Sequence, residues 1–195
     1  MKIGIDVDGV IIDYEKGLLT VAELFDMEKC RGNGKIHPNE FRVQDRYDWT
    51  EAEKNRFLNE DFQKVSAEAS IMPGAKYVLQ KLKEMGHELI LISARGKDEE
   101  NTVDIITEKF KKENIKVDKC YWKKREKLAV CQAEEILLMI DDKPTTCQTM
   151  AENQIKTLYF RGIRGWNLEE NEYLKEVSNW GEVYRYIVKE CGENG

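Results

Sequence analysis

Two short runs, residues 88–93 (ELILIS) and 136–140 (ILLMI), are apolar without alternation. A strand with one wet face alternates apolar and polar residues. A run that is apolar on both faces belongs inside a parallel sheet covered from each side. Helix-patterned segments surround these runs. Residues 73–86 (PGAKYVLQKLKEMG) open with Pro and close with Gly, and Ala75, Val78, Leu79, Leu82 and Met85 form an apolar stripe. Residues 98–114 repeat the pattern with Val103, Ile106 and Phe110. Helices are also expected over 125–133, 144–153 and 182–189, the last with Val183, Tyr184, Ile187 and Val188 inward. Further strands are expected at 2–7, weakly at 118–122 (DKCYW), and at 155–160 (IKTLYF). This alternation predicts an α/β fold, a three-layer Rossmann-like parallel sheet with helices on both faces. Right-handed crossovers then gather the carboxyl ends of the strands at one edge, where ligands bind.

Residues 14–70 have a different character. Leu18, Leu19, Ala22 and Phe25 have helix spacing. Residues 29–49 (KCRGNGKIHPNEFRVQDRYDW) are polar and glycine-rich, which predicts a long loop. Residues 50–70 return to helical composition, with Thr50 as N-cap and Glu53 completing a capping box. The chain therefore divides into an α/β core, 1–13 and 71–195, and a small helical insertion, 14–70.

Charge and composition exclude several function classes. The net charge of −6 lacks the basic face that a nucleic-acid polymer requires. No apolar run approaches the roughly 18 residues of a membrane span, and no secretory leader opens the sequence. The expectation is a soluble cytoplasmic protein. The five cysteines, Cys30, Cys120, Cys131, Cys147 and Cys191, form no CxxC pair and read as reduced, mostly packed thiols. His87 sits at a helix-to-strand turn and His37 in a polar loop, so a histidine-based nucleophilic site has little support.

The chemistry gathers at strand ends. Asp6, Asp8 and Gly9 follow the first strand; Ser93, Ala94 and Arg95 follow ELILI; Lys123, Lys124 and Lys127 follow CYW; Asp141 and Asp142 follow ILLMI. Four carboxylates on one sheet edge repel one another, and a hard divalent cation removes that cost. Magnesium takes oxygen ligands and keeps several waters. Asp6 and Asp141 can each supply one oxygen and the Asp8 carbonyl a third. Two aspartates one residue apart need not play the same part. One can coordinate metal and attack phosphorus, while the other donates a proton to the leaving oxygen and later accepts one from water. Gly9 lets the backbone approach a phosphate, Ser93 can donate to a phosphoryl oxygen, and a lysine can neutralise nucleophile and phosphate together.

The motifs DVDGV, LISAR, a downstream lysine and MIDD, in this order, resemble the four motifs of the haloacid dehalogenase superfamily of phosphohydrolases. The resemblance covers the whole α/β core. It implies Asp6 as the nucleophile that becomes phospho-aspartate and Asp8 as general acid/base. It implies Ser93, with Gly9, Ala94 and Arg95 nearby, as phosphate-contacting. Asp141 would bind Mg2+ directly, with Asp6 and Asp8, and Asp142 directly or through water. Lys127 is the favoured motif lysine and Lys124 the alternative. An insertion at 14–70 is, in this superfamily, a cap that covers the site and suits small phosphorylated metabolites.

Chain size, insertion position and the tail NWGEVYRYI resemble the small 5′(3′)-deoxyribonucleotidases and their bacterial nucleotidase relatives. This implies a nucleoside monophosphate as substrate, although SARG departs from the animal enzymes' pattern. A sugar-phosphate phosphatase or a phosphotransferase is the alternative within the same chemistry. A receiver-like signalling domain shares the residue types, but the DxD order and the insertion tell against it. A catalytically silent binding protein is the remaining alternative, and every motif carboxylate is present. Tyr14, Phe25, Phe41, Tyr47 and Trp49 either stack on a base or form the insertion's own core. Arg95 either reaches the phosphate or pairs with an acid such as Asp98, and Lys143 offsets the charge of the aspartate pair. Trp166, Trp180 and the last helix either line a homodimer interface or complete the core.

Overall fold

The computed structural model describes residues 1–61, 65, 68–96, 102–162 and 167–192, with no side-chain description for 190–192. Six parallel strands form the sheet: β1 (Lys2–Ile5), β4 (Glu88–Ile92), β5 (Lys119–Tyr121), β6 (Leu138–Asp141), β7 (Lys156–Phe160) and β8 (Leu174–Val177). Their spatial order is β5-β4-β1-β6-β7-β8. ELILI and ILLMI thus flank β1 at the centre of the sheet. Successive residues of a strand point to opposite faces, which sorts the core in two. Ile3, Ile5, Leu89, Leu91, Leu138 and Ile140 lie in one buried cluster, while Ile90, Ile92 and Met139 lie in the other. The first is covered by α3 (Ala75–Glu84), α4 (Thr102–Lys112) and α7 (Trp180–Gly192), the second by α5 (Leu128–Ala133) and α6 (Pro144–Glu152). This is the expected three-layer α/β architecture.

The insertion leaves and returns through one neck. Strands β2 (Ile12–Asp13) and β3 (Ser70–Ile71) pair antiparallel, Ile12 with Ile71 and Asp13 with Ser70. Between them lie α1 (Tyr14–Lys29), a short 3-10 turn (Val43–Arg46) and α2 (Glu51–Glu60). These pack around a separate apolar cluster of Ala22, Phe25, Val43, Tyr47, Trp49 and Phe57. Thr50 caps α2, and the reciprocal bonds of the capping box are both present, as its sequence predicts.

Several boundaries differ from the sequence reading. The first strand ends at Ile5 rather than residue 7, although Asp6 N–H still donates to the Ile140 carbonyl at 2.9 Å. The helix expected from 125 begins at Leu128. Its first turn is lost because Lys123 takes positive φ and Lys124 N–H bonds the Ser93 carbonyl at 2.8 Å, tying this loop to β4. Residues 98–101 of the helix expected over 98–114 lie outside the described residues, as does Trp166. Met85 and Val188 are exposed rather than inward, each at the margin of its apolar stripe. Trp180 is fully buried and donates from Nε1 to the Val10 carbonyl at 2.8 Å, so it completes the core. Strand β8 has no counterpart in the sequence reading. Lys175 and Glu176 interrupt its apolar residues, and only pairing with β7 makes it a strand. The two-residue strands β2 and β3 were equally invisible, being set by each other alone.

Candidate active site

Parallel pairing builds the site. The register Ile5↔Ile140 and Ile5↔Leu91 sets the ends of β6 and β4 on either side of the end of β1. Asp6, Ser93 and Asp141, far apart in sequence, therefore emerge together. Asp6, Asp141 and Asp142 each offer a carboxylate oxygen, all within 4.8 Å of one another. Asp141 is fully buried and Asp6 nearly so. Water cannot screen such a group of anions, so something must compensate it.

Lys127 compensates it. At the start of α5, its Nζ lies 2.8 Å from Asp6 Oδ1 and 2.6 Å from Asp141 Oδ2. Burial works to lower the lysine's pKa, but the Asp141 and Asp6 carboxylates beside it prevail and raise it. Lys127 is therefore a cation throughout the physiological range. Burial pushes Asp141 up to about 6, against the pull of Lys127 and the Lys143 N–H, which donates to Asp141 Oδ1 at 2.8 Å. Lys124, the alternative motif lysine, is exposed. Lys143 contributes its backbone N–H rather than its charge to this contact.

Asp8 stands apart from that group. Arg95 grips both its oxygens, with Nε donating to Oδ2 at 3.1 Å and Nη2 to Oδ1. Burial raises the Asp8 pKa and Arg95 opposes the rise. Ser93 is buried, and its Oγ accepts from Arg95 N–H at 3.2 Å. Gly9 has φ +78°, where a side chain is strained, and an added Cβ would lie 2.3 Å from Asp142 Oδ2. Ala94 is exposed at the same mouth. Of Arg95's expected partners, Asp98 lies outside the described residues.

These groups open into a cavity of about 750 Å³ between the sheet edge and the helical insertion. Tyr14, Leu18, Phe41, Leu58 and the amides of Gln44 and Asn59 line its far side. The aromatic residues of the insertion thus divide. Phe25, Tyr47 and Trp49 are buried against Phe57, with Tyr47 stacked on Trp49 at 4.4 Å, whereas Tyr14 and Phe41 face the cavity. Sequence reading did not find Arg46, Thr102, Arg125 and Thr146, which also line the cavity. None sits in a motif, and only the packing of distant segments brings them there.

Solved structures with this arrangement of strands and helices are numerous. A haloacid dehalogenase-like hydrolase from Streptococcus pneumoniae superposes with a TM-score of 0.65 at 14% identity, covering 95% of this chain and 97% of that one. The fold is that of the haloacid dehalogenase-like hydrolases. A protein from Clostridium acetobutylicum described as a predicted phosphatase gives 0.66 at 15% identity, covering 96% and 98% of the two chains. CbbY from Rhodobacter sphaeroides, in complex with phosphate, gives 0.59 at 12% identity, covering 93% and 95%. In sequence, the chain is 24% identical over 200 residues to a Bacillus cereus protein named "Putative nucleotidase", spanning 97% of this chain and 100% of that one. No family model matches the chain. No helix among the described residues is long and apolar enough to cross a membrane. Cys30, Cys120, Cys131 and Cys147 are free thiols; Cys131 and Cys147 are packed in the core, whereas Cys30 is half-buried and Cys120 exposed. His87 is buried with Nδ1 3.2 Å from the N-terminal amine.

Proposed function

We propose that this chain is a magnesium-dependent phosphomonoesterase acting on small phosphorylated metabolites, with nucleoside monophosphates as the preferred class. The observation that carries this reading is the convergence of the Asp6, Asp141 and Asp142 carboxylates at the cavity, two of them paired with Lys127. An all-oxygen, strongly anionic donor set suits a hard cation. Asp6, Asp141 and Asp142, with the Asp8 carbonyl, would hold magnesium. When bound, it supplies positive charge to a phosphoryl group and to the carboxylates around it.

The residues then divide the work. Asp6 attacks phosphorus through a carboxylate oxygen, and the bond from phosphorus to the leaving oxygen breaks. Asp8 gives its proton to that oxygen, so an alcohol departs and phospho-aspartate remains. Water attacks the phosphorus of this intermediate, Asp8 takes the water's proton, and phosphate leaves with Asp6 regenerated. Lys127 and the Ser93 hydroxyl stabilise the charge on the phosphoryl oxygens, and Gly9 leaves room for its approach. Residues 14–70 act as a cap that excludes water and contacts the leaving group. Support for a nucleoside comes from the Bacillus cereus relative's name and from Tyr14 and Phe41 facing the cavity, where a planar base can stack.

The test is phosphate release from deoxy- and ribonucleoside monophosphates, sugar phosphates and p-nitrophenyl phosphate, in magnesium and in EDTA. Magnesium-dependent preference for nucleoside monophosphates is the expected result, and Asp6→Asn abolishes it with the fold intact. Turnover surviving in Asp6→Asn refutes the mechanism, and preference for a sugar phosphate refutes the substrate class.

A further inference from the structure

The two aspartates of the DVD segment have been given different cations. Asp6 lies against Lys127 and belongs to the group of three converging carboxylates. Asp8, two residues on, is outside that group and is gripped by Arg95. We propose that Arg95 is a positioning residue that holds the Asp8 carboxylate away from the cation cluster and so reserves it for proton transfer. This rests on the phosphatase reading for its chemical meaning, though not for the geometry.

Arg95 is built to hold rather than to sample. Its side chain is 4% exposed, whereas that of Asp8 is 31% exposed. Its backbone N–H donates to Ser93 Oγ, and its carbonyl accepts from Lys123 N–H at 3.0 Å. Its guanidinium lies 5.7 Å from the centre of the Tyr14 ring. The following residue, Gly96, has φ +86° and an added Cβ there would lie 2.6 Å from Val103 Cγ2, so the turn that carries Arg95 accepts only glycine there. Loop and insertion therefore fix the guanidinium fork together. A planar fork engaging two carboxylate oxygens sets the plane of the carboxylate as well as its position. An ionised carboxylate offers about four acceptor sites, so two remain for a proton and a leaving oxygen on the cavity side. Released from the fork, the Asp8 side chain is near enough in sequence to Asp6 to swing toward the three converging carboxylates and act as a further metal ligand.

Two variants separate this role from simple charge or phosphate binding. Arg95→Lys keeps the charge and loses the fork, and Arg95→Gln loses both. The first readout is magnesium affinity by calorimetry, with no substrate present. Freeing Asp8 adds an anionic ligand, so Arg95→Lys should bind magnesium roughly tenfold more tightly than the wild type. Affinity equal to the wild type overturns the proposal, whether or not the chain hydrolyses phosphate esters. The second readout is the leaving-group dependence. p-Nitrophenolate departs as a stable anion, whereas an alkyl leaving group needs the Asp8 proton. In Arg95→Lys and Arg95→Gln, kcat for an alkyl monophosphate should fall on the order of 10²-fold. The pre-steady-state burst of p-nitrophenolate should keep its rate, and KM should rise for neither ester. A parallel rise in both KM values with kcat preserved would overturn the proposal in favour of direct phosphate binding. Absence of turnover in the wild type would refute the phosphatase reading alone, leaving the magnesium titration to decide Arg95's hold on Asp8.

Discussion

Replacing Lys127 with methionine keeps the volume of the side chain and removes its charge. Two buried contacts are lost, to Asp6 at 2.8 Å and to Asp141 at 2.6 Å. Each is worth about 6 kcal/mol gross at an effective dielectric of about 20, most of it offset by the cost of burying the ammonium group. Removing one partner of a buried ion pair leaves the other uncompensated, at a net cost of about 3–5 kcal/mol. At roughly 2.1 cal/mol/K of unfolding entropy per residue, 195 residues translate this into a fall in Tm of about 7–12 °C. The assay is thermal unfolding followed by circular dichroism in EDTA and again in magnesium. Magnesium should restore part of the loss, because it binds only the folded cluster and now meets no competing cation. The double variant Lys127→Met/Asp141→Asn should recover roughly half of the deficit in EDTA, since an asparagine oxygen can still accept the Lys143 N–H. A Lys127→Met chain melting within about 2 °C of the wild type in EDTA would refute the view that this lysine compensates the carboxylates.

Other outcomes follow from single contacts. Gly9→Ala places a Cβ 2.3 Å from Asp142 Oδ2 at φ +78°. It should cost about 1–2 kcal/mol and displace Asp142, weakening magnesium binding in a calorimetric titration. Thr50→Ala removes the N-cap of α2, and urea unfolding should show a loss of about 1 kcal/mol. Glu53 is held down to about 2, from an ordinary 4.5, first by Arg31 and then by the Thr50 N–H. A depressed carboxylate stabilises the fold above its unfolded value and loses that contribution as pH falls through the folded one. The Tm gap between wild type and Glu53→Gln should therefore be widest above about pH 4.5 and close toward about pH 2.

Much of the molecule was legible before any coordinates. The unalternating runs ELILI and ILLMI required cover on both faces, and the sheet supplies it. Capping at Thr50 is local chemistry, read from Thr50 and Glu53 three positions apart. The order of the acidic and hydroxyl residues after successive strands, joined with parallel pairing, was enough to predict that Asp6, Ser93 and Asp141 would meet. Local pattern failed where a neighbour sets the conformation. Strand β8 carries Lys175 and Glu176, so its pairing with β7 is decided by the sheet edge that it meets. The first turn expected at 125–127 gives way to a loop bond with Ser93, a contact between segments some thirty residues apart.

What the sequence determined alone was therefore the layered fold and the set of carboxylate, hydroxyl and cationic groups at its strand ends, because periodicity and motif spacing are properties of neighbours in the chain. Tertiary structure alone decided how those groups are paired. It chose Lys127 over Lys124 as the buried cation, sent Arg95 to Asp8, and divided the aromatic residues between the insertion's core and the cavity. The physical reason is that a charge can be buried only where opposite charge comes to meet it. Which charges meet is set by strand register and by the packing of segments that are remote in sequence.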